Sequence, residues 1–197
     1  MGCLYSTKRK DAMRKNKNVN TQPRKKYLPD KTGDENDNGN NIEKNLPDFT
    51  DEQKELVIES WKEIKDDMDK VGIQMFMKLF ASHPDVQDAF TTFKGMSPED
   101  LTHSNQLRSH AMRVMGTVDK CLTCIHEPDI MFKTLHDLGA RHVMYTAKVD
   151  YMDLIGPQFI LAIQPVIGEK WNSELEQAWS DLFKLIAHVM KAAMTFY

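Results

Sequence analysis

The stretch Leu135–His142 reads LHDLGARH, and its apolar residues recur at the spacing of an α-helix. Leu138 follows three residues after Leu135, and His142 follows four residues after Leu138. Side chains three or four residues apart lie on one face of a helix. The stretch therefore predicts a helix that turns one imidazole and two leucines toward the protein interior.

An earlier stretch, Leu107–Val114 (LRSHAMRV), repeats this arrangement. His110 lies three residues after Leu107 and four before Val114, which places its imidazole on the buried face of a second helix. One such histidine alone is more often a hydrogen-bonded core residue than a ligand. Two neutral imidazoles that face inward from different helices suit a metal with two axial nitrogen ligands better than a tetrahedral zinc ion.

Helical periodicity continues outward from both stretches, and no segment alternates cleanly between apolar and polar residues. The fold class is therefore predicted to be all-α. The residues TDEQ at 50–53 have the form of a capping box, which predicts the start of the first helix. Pro84 is expected to end the second helix and lead into a turn. A later helix, from about 150 to 167, is expected to kink or break at Pro157 and Pro165.

The composition is that of a globular protein, since 41% of the 197 residues are hydrophobic and 28% are charged. No apolar run reaches the length of about eighteen residues that a transmembrane helix requires, so none is expected. Three cysteines cannot form a disulfide framework and the N-terminus has no apolar leader, so we expect a reducing compartment and no secretion. Cys121 and Cys124 are interpreted as two buried small residues, with a redox pair as the alternative.

The net charge of −3 averages two unlike parts of the chain. Residues 1–28 hold nine Lys and Arg and one Asp, which leaves this tail at +8 and the rest of the chain at −11. Attraction to anionic surfaces therefore belongs to the tail, and nucleic acid is not an expected partner of the folded part. Residues 1–47 are predicted to be a disordered basic tail and polar linker, and residues 48–197 the folded domain.

The first residues, Met1–Ser6 (MGCLYS), fit the pattern for N-myristoylation of Gly2. Cys3 beside it is a site for palmitoylation, and Lys8–Lys10 adds a basic cluster. One acyl chain gives reversible membrane binding, whereas a second chain or a basic cluster makes the binding stable. We expect a lipid anchor in the inner leaflet, at the cytoplasmic face of the plasma membrane. A chance match in an unmodified tail is the alternative.

Over about residues 50–197 the chain resembles the globin family. The two histidine stretches are accompanied by four further matches, namely Trp61, Gly72, His83-Pro84 and Phe90-x-x-Phe93-Lys94. Each motif alone carries little information, but their joint order and spacing over successive helices are specific. The resemblance implies a fold of about eight helices around a pocket for haem b (iron protoporphyrin IX).

By this resemblance, His142 is the proximal ligand of the haem iron and His110 is the distal one, which makes the iron bis-histidyl and hexacoordinate. Apolar contacts with the cofactor are implied for Phe76, Phe90, Val114 and Leu138. Arg113 is interpreted either as a partner of a haem propionate or as an ordinary solvated residue of its helix.

The acylated start, the basic extension and the paired histidines together most resemble the globin X lineage. The function implied is a membrane-anchored haem globin that binds O2, CO, NO or nitrite. The role implied is sensing, electron transfer, nitrite reduction or lipid protection, with an unidentified reductase as partner. Whether the protein is a redox enzyme or only a ligand-binding protein is left open by the sequence. One alternative is a pentacoordinate oxygen carrier or store in which His110 only hydrogen-bonds O2. A further alternative is a haem-free helical adaptor tethered by its tail.

Overall fold

Residues 49–195 are described by a computed structural model, and they form eight α-helices. Their bounds are α1 Asp51–Ile64, α2 Met68–Ser82, α3 Pro84–Ala89, α4 Pro98–His103, α5 Asn105–Thr123, α6 Pro128–Met144, α7 Ile155–Ile167 and α8 Ser173–Thr195. Short 3₁₀ segments are Lys65–Asp67, Val149–Leu154 and Gly168–Lys170. No β-strand occurs in this part of the chain, so the all-α prediction is confirmed. The predicted tail and linker, residues 1–47, lie outside the described residues.

Side-chain caps determine where two of the helices begin. The Gln53 N–H donates to Thr50 Oγ1 at 3.3 Å and the Thr50 N–H donates to Gln53 Oε1 at 3.0 Å, which confirms the predicted capping box. Ser104 caps α5, since its hydroxyl oxygen accepts a hydrogen bond from the Leu107 N–H at 3.2 Å. This cap sets the start of the helix that carries His110.

Two prolines lie in the first turn of a helix, at positions where the sequence predicted a turn or a break. Pro84 is the first residue of α3, so a short helix stands where a turn was expected. Pro157 lies in the first turn of α7, where N–H groups have no acceptor within the helix, so the expected break at this residue is wrong. The segment 149–154 is a 3₁₀ helix and not the start of a longer α-helix. Pro165 lies inside α7, near its C-terminal end.

Aromatic side chains fill the core where α1, α7 and α8 meet. Phe159 of α7 lies 5.1 Å from Trp179 and 4.6 Å from Phe183 of α8, measured between ring centroids. Trp61 of α1 stacks on the same phenylalanine at 6.4 Å. The buried indole N–H of Trp179 donates to Ser60 Oγ at 3.0 Å. These contacts pack α1, α7 and α8 together around one apolar core, in which the indole N–H of Trp179 has a hydrogen-bond partner.

Gly139 brings α6 and α8 into backbone contact. A Cβ atom at this position would lie 2.5 Å from the Met190 carbonyl oxygen and 2.9 Å from the Ala193 Cβ. Backbone atoms cannot move aside as the end of a flexible side chain can. The helix that carries His142 is therefore held against α8 with no room for a side chain at this point.

Gly139→Ala is expected to lower the free energy of unfolding by about 1–3 kcal/mol, because the added methyl group overpacks the contact between α6 and α8. Gly116→Ala is the matched control, since a Cβ atom at Gly116 meets nothing within 4 Å. This control should gain roughly 0.5–1 kcal/mol, because alanine favours a helix over glycine. Urea unfolding followed by circular dichroism measures both variants. A Gly139→Ala protein as stable as the parent would contradict the close approach.

Candidate functional site

A cavity of about 540 Å³ lies between α2, α5, α6 and α8. Its volume falls within the range of ~300–1,000 Å³ that is common for pockets that bind small molecules and cofactors. Most of the side chains that line it are apolar. The structure brings six of the residues named from the sequence to this one cavity: Phe76, Phe90, His110, Val114, Leu138 and His142.

His142 is half-buried on α6, and one hydrogen bond sets its tautomer. Its Nδ1 lies 2.8 Å from the Leu138 carbonyl oxygen. A carbonyl oxygen can only accept a hydrogen bond, so Nδ1 donates here, and the neutral tautomer with this proton leaves the lone pair on Nε2. Histidines that bind metals are commonly oriented in this way, with the second ring nitrogen donating to a backbone carbonyl.

His110, on α5, lies against two aromatic rings from other parts of the chain. Its ring centroid is 5.0 Å from that of Phe76 and 5.4 Å from that of Phe90. Burial lowers the pKa of His110 to about 4, and Arg113 and His142 act in the same direction. The imidazole is therefore neutral at pH 7.

Arg113 does not line the main cavity but contacts His110 from a smaller recess beside it. Its Nη2 lies 3.3 Å from His110 Nδ1, and its Nη1 donates to Ser109 Oγ at 3.2 Å. A guanidinium can only donate, so Nδ1 of His110 accepts here and Nε2 carries the ring proton. Ligation of a metal through Nε2 requires the proton to be on Nδ1 and the Arg113 contact to be lost.

One wall of the cavity comes from a segment that the sequence did not indicate. Residues 144–155 run from the last residue of α6 to the first residue of α7, and seven of them line the cavity. Within this segment the Tyr151 hydroxyl donates to Asp85 Oδ2 at 3.1 Å, and the Lys148 ammonium group lies 5.2 Å from the centroid of the Tyr151 ring. The sequence predicted a helix from about residue 150, but no pattern in it indicated that this segment lines a cavity.

Cys121 and Cys124 are buried free thiols near the end of α5, and neither lines the cavity. The Cys124 thiol donates to the Lys120 carbonyl oxygen at 3.1 Å. Burial raises the pKa of the Cys121 thiol to about 12, which leaves almost no reactive thiolate at pH 7. These contacts favour the interpretation as buried small residues over a redox pair.

The residues of the cavity fit an iron porphyrin. Such a cofactor needs an apolar slot, one strong ligand and a polar group on the opposite side. The cavity has mostly apolar walls, and His142 offers an Nε2 atom with a free lone pair. His110 offers a second neutral imidazole from another helix. The donor set is therefore compatible with the haem that the resemblance implies.

Comparisons with known proteins agree with this geometry. A sequence model of the family described as Globin matches residues 73–190. The chain is 24% identical over 149 residues to Cytoglobin-2 of Danio rerio, covering 75% of this chain and 83% of the relative. It is 27% identical over 151 residues to an anaerobic nitrite reductase of Gossypium hirsutum, covering 74% of this chain and 94% of the relative.

Two solved structures have the same fold. A hexacoordinated haem protein from an anhydrobiotic tardigrade superposes with a TM-score of 0.71 at 20% identity, covering 76% of this chain and 97% of that chain. The ferric myoglobin of Aplysia limacina superposes with a TM-score of 0.66 at 23% identity, covering 74% and 98%. Since the Globin model matches more than half of the sequence, the chain belongs to the globin family.

Proposed function

We propose that the protein is a haem b globin in which His142 is the proximal and His110 the distal ligand of the iron. The observation that carries this proposal is that two imidazoles from different helices line one apolar cavity, with the tautomer of His142 set for metal binding. When bound, the haem supplies an iron centre that binds diatomic ligands and exchanges electrons.

The side chains of the cavity have distinct roles in this proposal. The Leu138 carbonyl oxygen accepts the hydrogen bond from His142 Nδ1 and so orients the imidazole. The side chain of Leu138 lines the cavity. Phe76 and Phe90 contact the ring of His110 and restrict where it can move. Val114 adds a further apolar group to this side of the cavity and helps to exclude water.

We infer a redox role for this site, with O2, CO, NO and nitrite as its small ligands and a reductase as the source of electrons. A relative whose name is anaerobic nitrite reductase and a structural neighbour described as hexacoordinated support this choice. Ligation by His110 and His142 would suit electron transfer, because the iron would keep the same two protein ligands in both oxidation states. The absorption spectrum of the ferrous protein without added ligand tests the ligation by His110, and a low-spin spectrum is the expected result.

A pentacoordinate oxygen carrier or store is the second function that an observation favours. The contact between Arg113 Nη2 and His110 Nδ1 holds the tautomer that hydrogen-bonds a ligand and does not bind the metal. A high-spin ferrous spectrum would select this function over the redox role. A haem-free adaptor is less well supported, because a pocket without a cofactor has no need of the His142 tautomer described above.

The proposal also includes a lipid anchor at the cytoplasmic face of the plasma membrane, in the manner of the globin X lineage. Gly2 and Cys3 provide two acylation sites, and the +8 tail adds attraction to an anionic leaflet. Both sites lie outside the described residues, so the support is the sequence pattern. Among the helices between residues 49 and 195, none is long and apolar enough to cross a membrane.

Gly2→Ala is expected to move the protein from the membrane to the soluble fraction, because it removes the myristoyl site and the membrane contact that palmitoylation of Cys3 follows. Cys3→Ser should leave one acyl chain, whose binding is reversible and weakened by salt. Cell fractionation with intact-mass analysis measures both effects. Leu4→Ala is the control, since it leaves the motif intact. A parent protein that is wholly soluble and carries no added mass would remove the anchor while leaving the haem site untouched.

A further inference from the structure

Helix α7 is the one α-helix of residues 49–195 that carries no charged side chain. The uncharged run extends beyond both ends of the helix, from Leu154 to Gly168. Every other helix in this range has at least one Asp, Glu, Lys or Arg, as expected where 28% of all residues are charged. An uncharged helix is ordinary when it is buried on all sides, so the exposure of α7 decides what its composition means.

In the described part of the chain, α7 is covered on one side. Phe159, Ala162 and Ile163 are buried there, where the helix packs on α1, α2 and α8. The opposite side is an exposed or half-buried row at helical spacing, which we call the α7 stripe: Pro157, Ile160, Leu161, Gln164 and Pro165. Leu161, in the middle of the row, is 49% exposed. Contiguous exposed apolar groups of this kind mark interaction surfaces.

We propose that the α7 stripe is the contact surface for a second copy of this chain, in a two-fold symmetric dimer. In such a dimer a residue near the axis faces the same residue of the second copy, so a charge there would repel its own counterpart. Outside the tail each chain carries −11, so two copies repel one another unless they meet at an uncharged face. The α7 stripe, with Leu161 at its centre, meets both conditions.

The charge pattern favours a second copy over two other occupants of the stripe. Residues 1–28 carry +8 and would find no acidic side chain on it. An anionic membrane surface attracts Lys and Arg, and the stripe has neither. Charged side chains that flank α7 are paired within the chain, since Lys170 contacts Glu63 and the Lys191 ammonium lies 2.7 Å from Asp153 Oδ2. These pairs leave no demand for a charged partner.

The size of the stripe predicts a weak dimer. The 13 residues of α7 form a helix about 20 Å long and ~10 Å wide. Its exposed side therefore covers on the order of 200 Å², against about 800 Å² per partner in a stable interface. Free copies at micromolar concentration should be monomers. Copies held on one membrane have a much higher effective concentration, so the dimer should form there. In the cell this inference rests on the proposed lipid anchor.

Vesicles with nickel-chelating lipids test the dimer without acyl chains, because they hold the full-length haem protein by an N-terminal hexahistidine tag. In a Cys3→Ser background, Leu161→Cys should form disulfide-linked dimers with copper phenanthroline roughly tenfold faster than Ile130→Cys. Ile130 is the matched control, since it is 48% exposed on α6. Cys121 and Cys124 are buried and should not react. Equal rates at the two positions would reflect random collisions and would overturn the proposal.

Charged variants at the centre of the stripe give a second measurement that needs no cysteine. Leu161→Lys alone and Leu161→Glu alone should each lower the dimer fraction at least roughly tenfold, because like charges then oppose each other. An equal mixture of the two variants should restore it, as counted by single-particle mass on a supported bilayer of the same lipids. A mixture that stays monomeric would assign the stripe to the bilayer or the tail and overturn the dimer. Failure of the lipid anchor would show in the Gly2→Ala fractionation and would leave both measurements unaffected, since the tag supplies the tether.

Discussion

His142→Ala is expected to purify with little or no haem. Alanine leaves only apolar groups where the metal needs a donor, and the Leu138 carbonyl oxygen loses the N–H that it accepts. Loss of an outer hydrogen-bond partner of a metal ligand already costs about 10- to 100-fold in affinity, so loss of the ligand itself should cost more than roughly 100-fold. The haem-to-protein ratio and the rate of haem transfer to an excess of an acceptor globin measure the effect.

His136→Ala is the matched control, because His136 is exposed on the same helix and should keep full haem content. His142→Gly with added imidazole distinguishes loss of the ligand from loss of the fold, since free imidazole can occupy the space and restore the Soret band. Full haem content and an unchanged Soret band in His142→Ala would show that His142 does not bind the iron.

His110→Leu is expected to turn the ferrous, ligand-free protein from low-spin to high-spin and to speed CO binding. If His110 binds the iron as proposed, a ligand must wait for it to leave, so the apparent affinity falls by the fraction of protein that is five-coordinate. If about 1% is five-coordinate, removing the imidazole raises the apparent CO affinity about 100-fold. The observed rate should also lose its plateau and rise linearly with CO concentration.

His103→Leu is the control for this variant, because His103 lies on α4, exposed, with its Nδ1 2.9 Å from the Glu99 carbonyl oxygen. It should leave both the spectrum and the CO kinetics unchanged. A parent protein whose ferrous spectrum is already high-spin would select the oxygen-store function, with Arg113 holding the tautomer that donates to the ligand.

The histidines and their apolar neighbours could be placed from the sequence, because a 3.6-residue period reports which side of a helix is buried. His110 and Val114 share one face of α5, and Leu138 and His142 share one face of α6. The capping box of α1 could also be predicted, from the residues TDEQ at 50–53, because a local hydrogen-bond pattern does not depend on tertiary contacts.

The remaining parts of the site depend on contacts between segments that are distant in sequence. Residues 144–155 gave no sequence signal of a cavity wall, because their place there follows from the contacts that the 149–154 segment makes with α3, α7 and α8. The sequence left Arg113 as either a haem-propionate partner or a solvated residue, and its recess exists because Phe90 and Thr92 lie opposite the first turns of α5. The break predicted at Pro157 was wrong because α7 begins at Ile155, which places the proline in the first turn of the helix.

The contact at Gly139 also bears on the order in which the protein matures. The α8 residues against which α6 packs, Met190 and Ala193, are translated well after His142. His142 is therefore synthesised before the α8 surface against which its helix packs, so in the proposed globin haem capture would follow the synthesis of α8. Gly2, the proposed myristoylation site, lies 140 residues before His142 and is translated much earlier. In the proposed membrane-anchored globin, acylation of Gly2 would therefore precede cofactor loading.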